Sequence, residues 1–327
     1  MIRAISALAL LAAGCSGSGL APGDGGGDGP PPNQVGGQAS TLSIGPFDLA
    51  PGQEFTRCLV MPLGNTDELD AIQIDASLAL GSHHLILYKT NATVPSTAPF
   101  DCSPFEGIFS SGDVPLFIAE KLETTLTLPS GVAYQFPAGT MLKLEAHYIN
   151  ASTSQRTGMG TVTLTPGKRD RSYLAADIMF CGSIGQLAHE CVPPGVQNYT
   201  LKPGIYTGSG SVDLTQLKFF GFTSHEHRLG SDVVISRSTS SADPGTVLYE
   251  NKSWDNPPLA VYDDAHLVQF GNNEGFRWQC SYDSADATPP PTGNTCFGES
   301  AFSNEMCFIW AYYFPSVGHF VSTECLF

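Results

Sequence analysis

The sequence is short of charge, and above all of positive charge. Charged residues make up 14% of the 327 residues, and 15 Lys and Arg stand against 31 Asp and Glu, which gives a formal net charge of -16. Because an acidic surface repels phosphate backbones, this balance argues against a nucleic-acid partner. The chain also lacks any Cys-x-x-Cys pair, which disfavours a metal-thiolate cluster as the role of its nine cysteines.

Long apolar runs and long amphipathic helices are missing too. Beyond the N-terminal segment no stretch is long and apolar enough to span a bilayer. From Ser43 onward, short apolar runs alternate with turn residues, and several runs repeat with a period of two. The 35 Gly and 24 Pro fit many short strands joined by turns. The sequence therefore predicts an all-β chain built as β-sandwiches.

The first 40 residues have the composition of a targeting segment followed by a tether. Arg3 precedes an apolar core, and the small residues before Cys15 are similar to a bacterial lipoprotein processing box. We expect a signal peptide over 1–14, lipidation of Cys15, and a Gly- and Pro-rich tether over 15–40. A plain secretory signal with a chance cysteine is the alternative. The lipoprotein interpretation predicts an exported, lipid-anchored protein facing the periplasm or the cell exterior.

A polar, turn-rich and charged stretch, Thr165 to Asp170, is the best internal boundary. It predicts two domains of similar size, 41–167 and 168–327. Apart from Cys15, eight cysteines remain, two in the first domain and six in the second. An even number in an exported chain indicates disulfides, whose pairing cannot be deduced from sequence alone.

Five of the eight histidines lie in three strand-like motifs. His225 and His227 are two residues apart, so on a strand both side chains would point to one face. His83 and His84 are adjacent, so both reach one metal ion only if a bulge or a sharp twist intervenes. His147 stands alone in the third motif. The competing interpretation is unrelated surface histidines and, for the adjacent pair, one buried ring and one exposed ring.

A methionine is the sixth candidate ligand. Two imidazoles with the thioether of Met306 would form a soft site, which favours Cu(I) over zinc or iron. Packing in the core is the usual role of a methionine and is the alternative here. Three imidazoles could also hold a catalytic zinc ion.

Four motifs, in this order, resemble the catalytic core of the copper type II, ascorbate-dependent monooxygenase family. They are His83-His84-Leu85-Ile86-Leu87-Tyr88, Glu145-Ala146-His147-Tyr148, His225-Glu226-His227-Arg228-Leu229-Gly230, and Glu305-Met306-Cys307 with the aromatic run after it. Each motif alone is weak, whereas the four in order are specific. The matched region covers roughly residues 43–327.

The resemblance implies two consecutive antiparallel, jelly-roll-like β-sandwich domains with a cleft between them and one copper in each. Two ligand sets follow, namely His83, His84 and His147 for an electron-transfer copper, and His225, His227 and Met306 for the catalytic copper that binds dioxygen. The expected reaction is hydroxylation of a C–H bond of a small organic substrate by O2, with ascorbate or another external reductant. A non-catalytic copper-binding surface lipoprotein is the alternative function.

The resemblance also bears on disulfides, substrate and partners. It implies the pairs Cys58–Cys102 and Cys280–Cys307, and the cysteines left over suggest Cys181–Cys191 and Cys296–Cys325. Thr223 and Phe308 stand where a family member has a substrate-binding arginine and asparagine, so a substrate carboxylate would lose those partners. We expect a monomer whose partners are O2 and a small molecule, with membrane contact through the lipid alone.

Overall fold

The computed structural model describes residues 33–109, 112–170, 172–318 and 325–326 of the chain. The expected signal peptide, Cys15 and the first part of the expected tether lie outside the described residues. No helix in the part of the chain that is described is long and apolar enough to cross a membrane.

Period-two alternation produces strands throughout the first half. The elements are β1 (Ser40–Leu49), β2 (Glu54–Pro62), β3 (Leu69–Leu78), β4 (Ser82–Lys89), β5 (Phe100–Asp101), α1 (Glu106–Phe109), β6 (Val114–Ala119), β7 (Glu123–Thr127), β8 (Val132–Phe136), β9 (Met141–Ile149), β10 (Arg156–Pro166) and β11 (Leu174–Ala175). One sheet has the order β1-β10-β3-β8-β11, with β7 beside β3, and the other has the order β5-β2-β9-β4-β6. All pairings are antiparallel except that of β11 with β8. The inward side chains of both sheets share one apolar core.

The second half repeats this architecture with shorter strands. Its elements are β12 (Asp177–Gly182), α2 (Ile184–His189), β13 (Tyr199–Thr200), β14 (Gly204–Tyr206), a 3-10 helix (Leu214–Gln216), β15 (Lys218–His225), β16 (Gly230–Ser238), β17 (Thr246–Asn251), β18 (Ala260–Val261), β19 (Gly275–Tyr282) and β20 (Phe308–Phe314). The sheets run β12-β20-β15-β18 and β13-β19-β16-β17, with β14 beside β19. The fold is therefore nearly all β and of the β-sandwich type, as the sequence predicts.

Strand β20 is buried on both of its faces. Phe308, Trp310 and Tyr312 belong to the core that includes the first half, whereas Ile309 and Tyr313 belong to the core of the second half. The Tyr312 hydroxyl accepts a hydrogen bond from the backbone N–H of Ile118, 3.1 Å away. Aromatic side chains thus fill the space between these sheets, where the resemblance leads us to expect a cleft.

The ends of the first half differ from the expected boundaries. The Asn33 amide donates to the carbonyl of Pro129 at 2.8 Å and accepts from the N–H of Gly131 at 2.9 Å. The described part of the chain is therefore anchored from Asn33, inside the segment assigned to the tether. At the other end β11 still pairs with the first half, so the chain passes to the second half after Ala175 and not at residue 168.

Four disulfides cross-link the chain. They are Cys58–Cys102, Cys181–Cys325, Cys191–Cys296 and Cys280–Cys307. Two of the four expected pairs are present, and the expected pairs Cys181–Cys191 and Cys296–Cys325 are wrong. This number of disulfides is typical of an oxidising compartment, extracellular or periplasmic.

Backbone pairing explains the corrected disulfides. Directly after β12 the chain turns into α2, while Gly182 pairs in parallel with Leu326 and its N–H donates to the carbonyl of Cys325 at 3.1 Å. The chain end therefore lies beside Cys181. Val192 and Thr295 form an antiparallel bridge of their own, which brings Cys191 next to Cys296.

Candidate metal centre

Neighbouring strands of the first half bring three histidines together. His84 on β4 lies directly opposite His147 on β9, and the register of the two strands shifts between Ser82 and His84. His83 is the extra residue at this irregularity. The bulge that the sequence requires is thus confirmed, and both rings of the adjacent pair are buried.

The His-x-His motif is arranged differently from the prediction. His225 is the last residue of β15, and His227 lies in the connection to β16, so strand alternation does not place them together. Instead, the Glu305 carboxylate fixes the connection by accepting from the N–H groups of His227 at 3.0 Å and Leu229 at 2.7 Å. The two histidine rings end 5.1 Å apart, measured between centroids.

The two expected ligand sets form one cluster. The ring centroids of His83 and His84 are 5.3 Å apart, and those of His84 and His147 are 5.2 Å apart. Between the sets the distances are the same, 5.2 Å from His83 to His225 and 5.1 Å from His84 to His225. The structure therefore does not keep the sets apart in separate domains. We call His83, His84, His147, His225 and His227 the histidine cluster.

The cluster presents nitrogen atoms that lack a protein partner. Six buried imidazole nitrogens have no hydrogen-bond partner among the described residues, namely Nε2 of His83, both nitrogens of His84, Nδ1 of His147, Nε2 of His225 and Nε2 of His227. A buried polar atom without a partner is costly unless something else, such as a metal ion, satisfies it. One nitrogen each of His83, His84 and His225 lie within 4.8 Å of one another. This donor set fits a transition-metal ion that accepts imidazole ligands.

The remaining ring nitrogens of three histidines are hydrogen-bonded, which fixes the ring orientations. His225 Nδ1 lies 3.1 Å from both carboxyl oxygens of Glu120. His147 Nε2 lies 3.0 Å from Glu54 Oε1, and His227 Nδ1 donates to the carbonyl of Asn304 at 3.2 Å. Partners of this kind orient metal-binding imidazoles in proteins.

Glu54 also connects the two halves. Its carboxylate accepts from the N–H of Ala301 at 2.7 Å and from the hydroxyl of Ser300 at 2.8 Å, in addition to His147. Burial raises the pKa of this carboxyl, but the hydrogen bonds from His147, Ser300 and Ala301 outweigh burial and lower it. A negative charge is therefore held beside His147.

Burial keeps four histidines of the cluster neutral, namely His83, His84, His225 and His227. It lowers the pKa of His225 from 6.5 to about 3, and the neighbouring His147 contributes in the same direction. It lowers the pKa of His83, His84 and His227 as well, with further lowering by His225. A neutral imidazole is the form that binds metal ions, and these four histidines have this form at neutral pH.

Met306 directly follows Glu305, whose side chain accepts the hydrogen bond from the N–H of His227. It is fully buried and packs in the core that includes Phe308. Its neighbours on both sides are fixed, since Glu305 accepts from His227 and Cys307 is bonded to Cys280. The thioether is thus held at the border of the apolar core and the segment that contacts His227.

A pocket of about 500 Å³ opens onto one edge of the cluster and is lined in part by His83, Glu120 and Trp254. His83 is 7% exposed, whereas the other four histidines are at most 1% exposed. The residues that the sequence suggests for a substrate site are elsewhere. Thr223 is buried and donates to the carbonyl of Pro258 at 3.1 Å, and Phe308 is fully buried.

Sequence reasoning did not find Glu54 and Glu120. They lie 93 and 105 residues from the histidines they contact, and neither belongs to a recognisable motif. Glu54 is the first residue of β2, and Glu120 directly follows β6. A position at the end of a strand is the one signal in the sequence, and many other polar residues share it.

No protein-family profile and no curated protein matches the sequence. Among solved structures, the major capsid protein P2 of bacteriophage PM2 aligns with 84% of this chain and 97% of its own, at 7% identity and a TM-score of 0.35. PNGase F, a glycosylasparaginase from Flavobacterium meningosepticum, aligns with 85% of this chain and 95% of its own, at 7% identity and a TM-score of 0.30. Likenesses at these scores establish neither a shared fold nor a shared function.

Proposed function

We propose that the protein is a copper-dependent monooxygenase that hydroxylates a C–H bond of a small organic substrate. The observation that carries the proposal is the histidine cluster, in which five buried imidazoles leave six nitrogens without a partner among the described residues. The four ordered motifs supply the choice of metal, because Met306 adds a thioether that favours Cu(I).

By the motifs, His83, His84 and His147 would hold one copper, and His225, His227 and Met306 the other. Both ions would then lie within one cluster, because nitrogens of His83, His84 and His225, which belong to both sets, are within 4.8 Å of one another. When bound, copper supplies one-electron redox chemistry and activation of O2. In the overall reaction the substrate C–H bond breaks and a C–O bond forms, while the second oxygen atom leaves as water. The external reductant, ascorbate or a similar compound, provides two electrons, and two protons come from the reductant or solvent.

The protein's own residues hold the site in shape and keep it dry. Glu120 fixes the His225 ring, and Glu54 fixes the His147 ring while also binding Ser300 and Ala301 of the other half. The aromatic core around Phe105, whose ring centroid lies 5.0 Å from that of His225, excludes water from this side. A dry, fixed site limits side reactions of O2 and its reduction products.

Oxygen uptake tests this function. Copper-loaded protein is mixed with ascorbate and a panel of small aromatic and aliphatic compounds, and uptake is measured with product analysis. We expect substrate-dependent uptake with one hydroxylated product per O2 consumed. His225→Ala should abolish the uptake, whereas His266→Ala, an exposed histidine outside the cluster, should not. Copper binding without substrate-dependent uptake would instead support the non-catalytic copper-binding protein.

We also propose that Cys15 anchors the protein to the bacterial membrane. The support is the lipoprotein-like sequence before Cys15, together with four disulfides that fit an exported protein. Membrane fractionation checks this. Wild-type protein should sediment with membranes and Cys15→Ala should be released or left unprocessed, and a wholly soluble wild type would contradict the anchor.

A further inference from the structure

The pocket beside His83 gives a molecule from solvent a route to the cluster. The other four histidines are at most 1% exposed, and the space between the β12-β20 sheet and the first half is filled by Phe180, Phe308 and Trp310. A pocket of about 500 Å³ matches the volume of small-molecule sites. A substrate that reacts near the cluster would therefore be bound here.

Two cations line the pocket in a chain that has little positive charge, together with two acidic side chains, Asp255 and Glu120, of which Glu120 is hydrogen-bonded to His225. Lys121 and Arg156 both line it, and neither makes an ion pair within the described residues. Arg156 donates from Nε to the Ser152 hydroxyl at 3.2 Å, which positions the guanidinium. Asp255, also in the lining, accepts from the Ser253 hydroxyl at 2.9 Å. Two cations without a protein carboxylate are suited to bind an anionic group of a ligand.

The pocket is also bordered by apolar side chains. Leu80 is 66% exposed and Leu122 is 43% exposed, and both line it. The backbone N–H of Leu78 donates to the carbonyl of Leu122 at 2.7 Å, which holds the two segments together. Trp254 forms a further side, with its ring centroid 5.8 Å from that of His83. Large apolar side chains exposed beside a pocket mark a binding surface.

We propose that this pocket binds a small amphipathic carboxylate, with its apolar or aromatic body against Trp254, Leu80 and Leu122 and its carboxylate at Arg156 and Lys121. As a substrate site the pocket rests on the proposed function, because the bound molecule would lie beside His83. As a site for a carboxylate it rests on the lining residues alone. From the sequence we expect no partner for a substrate carboxylate at Thr223. In this proposal Arg156 and Lys121 supply that partner at a different place.

Ligand-observed NMR with three matched probes tests the proposal on the full chain, both copper-loaded and metal-free. The probes are phenylacetate, its neutral amide phenylacetamide, and the cation benzylamine. A charge-assisted pair should make phenylacetate bind about tenfold or more tightly than the amide, and benzylamine should bind most weakly. Fluorescence of Trp254, the one tryptophan not buried in the core, should report the same binding.

The variants Arg156→Gln and Lys121→Gln should each reduce the preference for phenylacetate over the amide, and the double variant should remove it. Arg169→Gln and Lys252→Gln are matched controls, since both cations lie outside this pocket and are paired with exposed carboxylates. Equal binding of the three probes, tighter binding of benzylamine, or a preference that survives in the double variant would each overturn the proposal. The probe comparison in the wild type needs no variant to fold.

The two proposals fail separately. A preference for phenylacetate in protein that shows no ascorbate-dependent oxygen uptake would keep the carboxylate site and refute the monooxygenase. Uptake with neutral or cationic substrates, and no preference among the probes, would keep the monooxygenase and refute the carboxylate site.

Discussion

At the scale of single residues, three rings of the cluster, those of His147, His225 and His227, are each hydrogen-bonded to a residue from a distant part of the chain. Glu120 follows β6 of the first half, yet its carboxyl is hydrogen-bonded to His225 of the second half. The pKa of this carboxyl is raised well above its usual value by burial, and His147 lowers it only in part. This buried carboxyl therefore positions the imidazole ring of His225.

Replacing Glu120 by leucine should weaken copper binding without unfolding the protein. Leucine has a similar volume but leaves the buried Nδ1 of His225 without its partner, so the free energy of unfolding of the metal-free protein should fall by only about 1–3 kcal/mol. Loss of the partner of His225 should lower Cu(I) affinity about 10–100-fold, as measured by competition with a chromophoric chelator. Glu123→Leu, at an exposed position of β7, is the matched control. Unchanged affinity in Glu120→Leu would show that this contact has no role in metal binding.

Met306 should matter to the metal more than to folding. Met306→Leu conserves apolar volume, so it should cost less than about 1.5 kcal/mol of stability. It removes the thioether, so Cu(I) should lose affinity relative to Cu(II), which a redox titration measures. Met179→Leu, a buried methionine of β12 in the other core, should leave the copper potential unchanged. If both variants behave alike, Met306 is a packing residue.

The sequence predicts the candidate ligands at this scale but not their surroundings. The histidines and Met306 lie in short motifs that can be recognised locally. Their hydrogen-bond partners cannot, because a contact between residues 93 or 105 positions apart depends on how the sheets pack. The suggested disulfides of Cys181 and Cys296 fail for the same reason, since the pairing is decided by backbone bridges that join distant parts of the chain, Gly182 with Leu326 and Val192 with Thr295.

At the scale of elements, the ligands lie where regular strands are interrupted. His83 occupies the register shift of β4, and His227 follows the end of β15. The aromatic pattern of β20 indicates a strand buried on both faces, yet sequence alone leaves open whether one face lines a cleft. Packing decides this, because Trp310 and Tyr312 meet side chains of the first half.

The disulfide between β19 and the residue after Met306 should stabilise both fold and site. Cys280 and Cys307 are 27 residues apart, so removing the bond in Cys280→Ser/Cys307→Ser should cost about 3–4 kcal/mol in the chain-entropy model. Cu(I) affinity should fall too, because the segment with Met306 is loosened. The pair Cys58→Ser/Cys102→Ser, with a separation of 44, should destabilise the fold comparably while affecting copper less. Equal loss of copper affinity in both variants would contradict a local role.

At the scale of the whole molecule, buried histidines and buried carboxyls have opposite effects on how stability depends on pH. Four histidines have lowered pKa values, that of His225 moving from 6.5 to about 3. Four buried carboxyls have raised values, because burial moves Glu145 from 4.5 to about 7 and Glu305 from 4.5 to about 8, and also raises Glu120 and Glu226. Their effects on stability depend on pH with opposite sign.

Metal-free protein should therefore be most stable at mildly acidic pH. As pH rises from 6.5 to 8, these carboxyls are ionised in the unfolded state but still protonated in the folded state, so stability falls. As pH falls from 4.5 to 3, these histidines are protonated in the unfolded state but remain neutral in the folded state, so stability falls again. Each group contributes about 1.4 kcal/mol per pH unit within its range. Between these ranges the two kinds nearly cancel.

Denaturant unfolding with a chelator present, from pH 3 to 9, measures this profile. Glu305→Gln should reduce the slope of the alkaline limb by the contribution of one carboxyl, because the amide has no proton to lose, and should leave the acid limb unchanged. A stability that rises from pH 6.5 to 8 in the wild type would contradict the assignment.

An anaerobic Cu(I) titration of the full chain against a competing chelator measures whether the histidine cluster binds copper. Two equivalents per chain are expected for the wild type and for His266→Ala, whose ring is exposed and outside the cluster. The double variant His84→Ala/His225→Ala removes one ring from each ligand set, and these two rings are 5.1 Å apart in the cluster. Because each ion loses a ligand, the variant should lose tight binding of both ions. Wild-type stoichiometry and affinity in that double variant would contradict copper binding by the cluster.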